Sequence, residues 1–126
     1  MADSFDAINV VYGWLKAGRV KAYKDKAPVS ETSDMFAVIV CPVEVNFQVL
    51  TSVPININIY HKKNENGMIS RSEMKAMKDK INQLIKNGTL PNYLFDLSQR
   101  QSYIDTTYSD RYDIMVNRYD ITVTAD

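Results

Sequence analysis

Hydrophobic and polar positions alternate most regularly in Ile55-Asn56-Ile57-Asn58-Ile59-Tyr60, where every second residue is apolar, as a half-buried strand requires. A polar, glycine-containing loop, His61 to Gly67, follows. The pattern then changes period. Met74, Met77, Ile81, Leu84 and Ile85 fall on one helical stripe between Arg71 and Asn87, with Lys75, Lys78, Asp79, Asn82, Gln83 and Lys86 off it. Ser70 and Glu73 have capping-box spacing, Ile69 and Met74 stand at staple positions, and Asn87-Gly88 supplies the stop.

Upstream, Phe5, Ile8, Tyr12 and Leu15 predict a helix over Asp3 to Leu15, with Gly18 expected in the left-handed position that ends it. Trp14 lies beside that stripe and reads as packing on its own domain. Val20 to Ala27 reads as a short strand and Pro28 to Asp34 as a loop. The unbroken apolar run Met35 to Cys41 fits a strand covered on both faces or set at a subunit contact, interrupted by Pro42. Val43, Val45, Phe47 and Val49 alternate with polar residues. Thr51-Ser52 reads as a turn that would pair this strand with Ile55 to Tyr60 as a hairpin.

After Pro91 the chain returns to β character, with strands expected at Tyr93 to Leu97, Tyr103 to Tyr108 and Tyr112 to Thr124, the last two paired around Ser109-Asp110-Arg111. Tyr112, Ile114 and Val116 share one parity, and Tyr119, Ile121 and Val123 the other. This predicts a β-bulge near Asn117-Arg118. The fold class is α+β: a mostly antiparallel sheet, an N-terminal helix, and one long amphipathic helix packed on one face.

At 126 residues the expectation is one domain spanning 1–126. Fifteen basic and fifteen acidic side chains cancel, so overall charge argues against a nucleic-acid partner held by counterion release. No apolar run reaches the ~20 residues of a membrane helix, and the N-terminus carries no signal-peptide pattern. Cys41 is the single cysteine; it reads as core and fits a reducing, cytoplasmic place of synthesis.

Chemistry is sparse. His61, the single histidine, sits between a strand and two lysines with no base or thiol near it in sequence. Asp105, Asp110, Asp113 and Asp120 lack calcium-loop spacing. No glycine-rich phosphate loop, nucleophile elbow or C-x-x-C occurs. The expectation is therefore no enzyme, no cofactor and no metal. A small-ligand enzyme would need a pocket with a perturbed acid beside His61.

The tyrosines give a softer signal, because Tyr103, Tyr108, Tyr112 and Tyr119 crowd the last quarter of the chain, as at protein interfaces. With the apolar run they make the candidate interface Met35, Phe36, Val38, Val40, Tyr103, Tyr108, Tyr112, Arg118 and Tyr119. An alternative is a nucleic-acid-binding module whose sheet stacks bases on Tyr103 and Tyr112 beside Arg100 and Arg118.

The order of elements resembles the tail-terminator, or head–tail joining, proteins of long-tailed bacteriophages and prophages. The resemblance rests on the helix Phe5 to Tyr12, on the strand Ile55 to Tyr60 leading into the helix of Met74, Ile81 and Leu84, and on the closing hairpin that ends in Tyr119-Asp120-Ile121-Thr122-Val123-Thr124. It implies assembly without catalysis: a homo-oligomeric ring, commonly a hexamer, that caps the tail tube and meets the head connector. It also implies synthesis in a bacterial cytoplasm followed by incorporation into the virion.

Overall fold

The computed structural model describes the backbone of residues 4–41, 50–87 and 93–125, and side chains over 8–41, 54–87 and 102–119. Along the chain these form α1 (Ser4–Ala17), β1 (Ala22–Lys24), β2 (Met35–Val40), β3 (Leu50–Lys62), α2 (Arg71–Lys86), β4 (Tyr93–Asp105) and β5 (Tyr112–Ala125). The strands make one sheet in the order β1-β2-β3-β5-β4. Only β1 and β2 run parallel; the other pairs are antiparallel. The class is α+β.

Both helices pack on one face of this sheet. Strand alternation puts Ile55, Ile57 and Ile59 on that side, beside Ala37 and Ile39 of β2 and Met115 and Tyr119 of β5. Ile8, Val11 and Leu15 of α1 and Met74, Ile81 and Ile85 of α2 close over them in one buried cluster, with Trp14, Met77 and Leu84 packed at its margin. The predicted stripe of α2 is thus the stripe that docks. Val11, which lowers helix propensity, is fully buried, so packing outweighs the few tenths of a kcal/mol it costs the helix.

Several local expectations are corrected. The left-handed residue after α1 is Arg19 (φ 62°), one place beyond Gly18. The Arg19 and Val20 amides donate to the Lys16 and Leu15 carbonyls at 3.0 and 2.9 Å, the paired bonds of a Schellman end. Gly18 has a packing role instead: a Cβ there would overlap the Leu84 side chain, which would have to shift, so its bare backbone is where α2 seats against α1.

The Ser70–Glu73 capping box does not form. Ser70 makes no side-chain cap bond. Its hydroxyl accepts from Asn64 Nδ2 at 2.8 Å, and the Glu73 carboxylate turns to His61.

The β regions differ in extent and pairing. The first strand is only Ala22–Lys24. Thr51 and Ser52 lie inside β3, paired with Val123 and Thr122, rather than in a turn. The alternating run 43–49 lies outside the described residues, and β3 pairs instead with β2 and β5. Among the described residues, pairing with β2 stops at Asn56 and Pro54 is laddered on the β5 side, opposite Asp120. Cys41 Sγ reaches the Pro54 carbonyl at 3.3 Å there.

Tyr93 to Asp105 is one continuous strand, and the hairpin loop begins only at Thr106. Strand β5 keeps an unbroken register with β3, so it carries no bulge at Asn117-Arg118. The irregularity lies across the ladder, between Gln99 and Gln101 of β4. Asn117 is buried and regular: its Nδ2 donates to the Ile57 carbonyl at 3.2 Å and its Oδ1 accepts from Ser102 Oγ at 2.8 Å. The parity of β5 changes because the strand's first half has apolar cover on both faces.

Candidate functional site

The second face of the sheet carries Tyr23, Phe36, Val38, Val40, Asn56, Asn58, Tyr60, Tyr103, Asp105, Tyr112, Ile114, Val116 and Arg118. No described helix covers it, and it divides into two parts. At the end where β2 begins, Phe36 stacks on Tyr60 with ring centres 4.8 Å apart. Tyr112 and Tyr23 meet Phe36 edge-on at 5.2 and 5.8 Å.

The loop between β1 and β2 folds over this cluster and is stapled by Glu31, which is buried. The Glu31 carboxylate accepts from the Tyr23 hydroxyl, from Lys21 Nζ at 3.0 Å and from the Ser33 amide at 2.8 Å. Hydrogen bonds from Ser33 and Tyr23 hold its carboxyl well below the usual carboxylate range. The Tyr112 hydroxyl donates to the Glu31 and Ser33 carbonyls at 3.2 and 3.1 Å.

Beyond the staple the face opens into a trough of about 400 Å³. Val38, Val40, Asn56, Asn58, Ile114 and Val116 form its floor. Asp25 and Lys26 wall one side, and Tyr103, Asp105 and Tyr108 the other, with Tyr60 at the end nearest the aromatic cluster. Both walls are locally fixed. Asp25 holds φ 70° while the Lys26 amide closes a three-residue turn onto the Lys24 carbonyl at 2.8 Å, a backbone state that costs a side-chain-bearing residue about 1–3 kcal/mol. Across the trough, the Asp105 carboxylate accepts from the Thr107 amide, the Thr107 hydroxyl and the Tyr108 amide at 2.8, 3.0 and 3.2 Å. Those bonds hold its carboxyl below the usual value. Burial, then the nearby Tyr108, pushes the Tyr60 hydroxyl up.

The floor contains an anomaly. Asn56 Oδ1 and Asn58 Oδ1 are buried with no donor in the chain. An acceptor left in that state costs about 1–3 kcal/mol.

The predicted interface residues scatter. Phe36, Val38, Tyr112 and Tyr119 are buried within the chain's own fold. Tyr119 faces the helices, and its hydroxyl donates to Asn82 Oδ1 of α2 at 2.5 Å. Met35 packs at the edge of the main cluster, and Val40 beside the aromatic one. Tyr103 (50% exposed), Tyr108 (75% exposed) and Arg118 remain on the surface. All three lie on or beside the open face. The side chain of Arg100 lies outside the described residues.

His61 stands with Asp113 and Lys63 where β3 ends. One ring nitrogen meets the Lys62 carbonyl at 2.8 Å and the other the Glu73 carboxylate, so both already face acceptors. Lys63 Nζ donates to Asp113 Oδ1 at 3.0 Å and to the Thr106 carbonyl at 2.7 Å, tying the β4–β5 loop to the end of β3. Among the described residues no group of three or more His, Cys, Asp or Glu is placed to hold a metal. None of the described helices is long and apolar enough to cross a membrane.

Asn56 and Asn58 are the residues that sequence reading passed over. They sit on the polar side of an alternating strand, and the alternation by itself marks them only as the face opposite the isoleucines. Two asparagines, poor strand formers, repeated on one side of a central strand were the available signal.

No family model matches the chain, and no curated protein matches it.

Proposed function

We propose that the protein is an assembly component that joins copies of itself into a ring, as the resemblance to phage tail terminators implies. One observation supports this most directly. Strand β4 is thirteen residues long and forms one edge of the sheet. Its outer side has no strand partner among the described residues, which leaves a long row of backbone donors and acceptors for another chain. The opposite edge, β1, is three residues long. If β4 meets a different surface of the next copy, the contact is head to tail and closes into a ring when the rotation per copy permits, whereas β4 paired with β4 would close a two-fold dimer. The exposed Tyr103 and the bulge between Gln99 and Gln101 lie on this same strand.

Light scattering behind a sizing column, across a concentration series, tests the ring. Hydrogen exchange on the same samples tests the edge. A mass of about six chains with new protection over 93–105 supports both. A monomer at every concentration counts against ring closure by the chain alone. A ring without added protection in β4 moves the interface elsewhere.

The nucleic-acid reading keeps one favourable feature, since Tyr103 and Arg118 share the open face. Tyr112 no longer serves it, because its ring is buried and its hydroxyl committed to the loop.

A further inference from the structure

We propose that His61 is a pH-sensitive switch between two ways of starting α2, one held by its own bond to Glu73 and the other by a Ser70–Glu73 capping box. One ring nitrogen, Nδ1, faces the Lys62 carbonyl at 2.8 Å, and the other, Nε2, faces the Glu73 carboxylate. Both partners are acceptors, and imidazole carries two N–H donors only when it is protonated. Loss of one proton therefore leaves a bare lone pair against one of them. The carbonyl belongs to the next residue in the chain and stays in place. The neutral ring thus keeps its proton on Nδ1 and turns the lone pair of Nε2 toward Glu73.

Glu73 has somewhere else to go. Its side chain is 63% exposed and that of His61 9%, so the carboxylate moves and the ring stays. Ser70 stands three residues upstream, the spacing at which a carboxylate reaches back to the N-cap amide. The Ser70 amide makes no hydrogen bond among the described residues. At present α2 starts without that box. The Arg71 amide donates to the Ile69 carbonyl at 2.9 Å across Ser70, whose φ −80° and ψ 62° are those of an inverse γ-turn. The Ser70 hydroxyl meanwhile accepts from Asn64 Nδ2 at 2.8 Å. A capping box needs Ser70 extended and its hydroxyl on the Glu73 amide. The two starts exclude each other, because forming the box opens the γ-turn and releases Asn64 from Ser70.

The other charges around the ring do not share this role. In the sheet, His61 is flanked by Met35 of β2 and Asp113 of β5. Asp113 already accepts from Lys63 Nζ at 3.0 Å. Asp34, Lys62 and Lys63 line the cleft of about 260 Å³ beside the ring, together with Asn64 and Glu73. Among the described residues, Glu73 is the one carboxylate bonded to the imidazole, so it is the group that senses the ring's charge. The switch reaches into the loop before α2, since Asn64 Nδ2 also holds the Met68 carbonyl at 2.6 Å and Met68 is exposed. It makes no use of the β4 edge and is independent of ring formation.

Because His61 is the single histidine, NMR of the whole protein labelled with nitrogen-15 follows its ring without ambiguity. Solvent exchange of the Ser70 amide is read on the same samples from about pH 5 to pH 8, the range in which histidine changes charge. As the ring loses its proton, that exchange, corrected for its intrinsic pH dependence, should slow about fivefold, the protection of one ordinary hydrogen bond. His61→Gln should abolish the change. Glu73→Ala should abolish it too; it alters an exposed side chain, and so keeps the test open if the first variant fails to fold. Three results would each overturn the proposal: a Ser70 amide indifferent to the ring's titration, a pH response that survives in either variant, or slowing shared equally by every amide of α2.

Discussion

The two faces of the sheet use the same strands and differ in almost every other respect. The helix side is continuous: Ile55, Ile57 and Ile59 meet both helices in one buried cluster, and its buried polar groups are satisfied, as with Tyr119 on Asn82. The open side is divided. One end is sealed by a loop clamped through Glu31, and the other is a trough whose floor holds two carboxamide oxygens without donors. Stability is concentrated on the first face, whereas the second leaves Tyr103 and Tyr108 exposed. A single strand can serve both ends because its side chains alternate, so Ile57 and Asn58 are neighbours in sequence and opposites in role.

The largest expected effect is a matched pair of truncations across β3 and β5. Ile59→Ala, on the helix side, should cost about 2–4 kcal/mol in urea denaturation, and Val116→Ala, in the trough, under about 1 kcal/mol. Equal losses would erase the distinction between the faces. Gly18→Ala should cost about 1–2 kcal/mol, because its Cβ meets Leu84 and the tight seat between the helices must open. Measured in a Leu84→Ala background, the same change should cost clearly less; an unchanged cost would place the strain elsewhere. Tyr119→Phe should lose about 0.5–1.5 kcal/mol through its bond to Asn82, with the ring still packed. A larger loss would show that the hydroxyl supports more of the helix face than this one bond.

The smallest effect concerns the clamp and appears in acid. The Glu31 carboxyl titrates lower in the folded chain than its ordinary ~4.3, so its contribution is fully present above that value. It is lost as pH falls through that value toward the folded one. Thermal melts of wild type and Glu31→Gln should differ by a constant amount from pH 8 to about pH 5, and converge below about pH 4.5. A constant difference down to pH 3 would mean that the carboxylate charge does not hold the loop.

The helix face was legible because it depends on periodicity. The stripe of α2 and the alternation of β3 each state which side is buried, and large apolar residues leave little choice about facing a core. The capping box failed for a reason sequence spacing does not contain. Glu73 had two possible partners, and His61, brought over by the turn from β3 into α2, competed successfully with the Ser70 amide. The predicted bulge does not form in β5; the register shift lies in β4, between Gln99 and Gln101. Two parities of apolar residue in β5 were read as a kink, whereas each parity found a cover of its own, the helices for Tyr119 and the stapled loop for Tyr112.

The sequence by itself determined the α+β class, the helix that docks and the greasy side of β3, because these follow from local spacing and the cost of exposing apolar groups. Tertiary structure alone decided that β5 lies between β3 and β4, leaving β4 as an edge, and that a loop distant from Tyr112 covers it. It also decided that Asn56 and Asn58 lie in a trough instead of open water. Those outcomes depend on which distant segments meet, and a contact between residues far apart in the chain leaves no periodic trace in either of them.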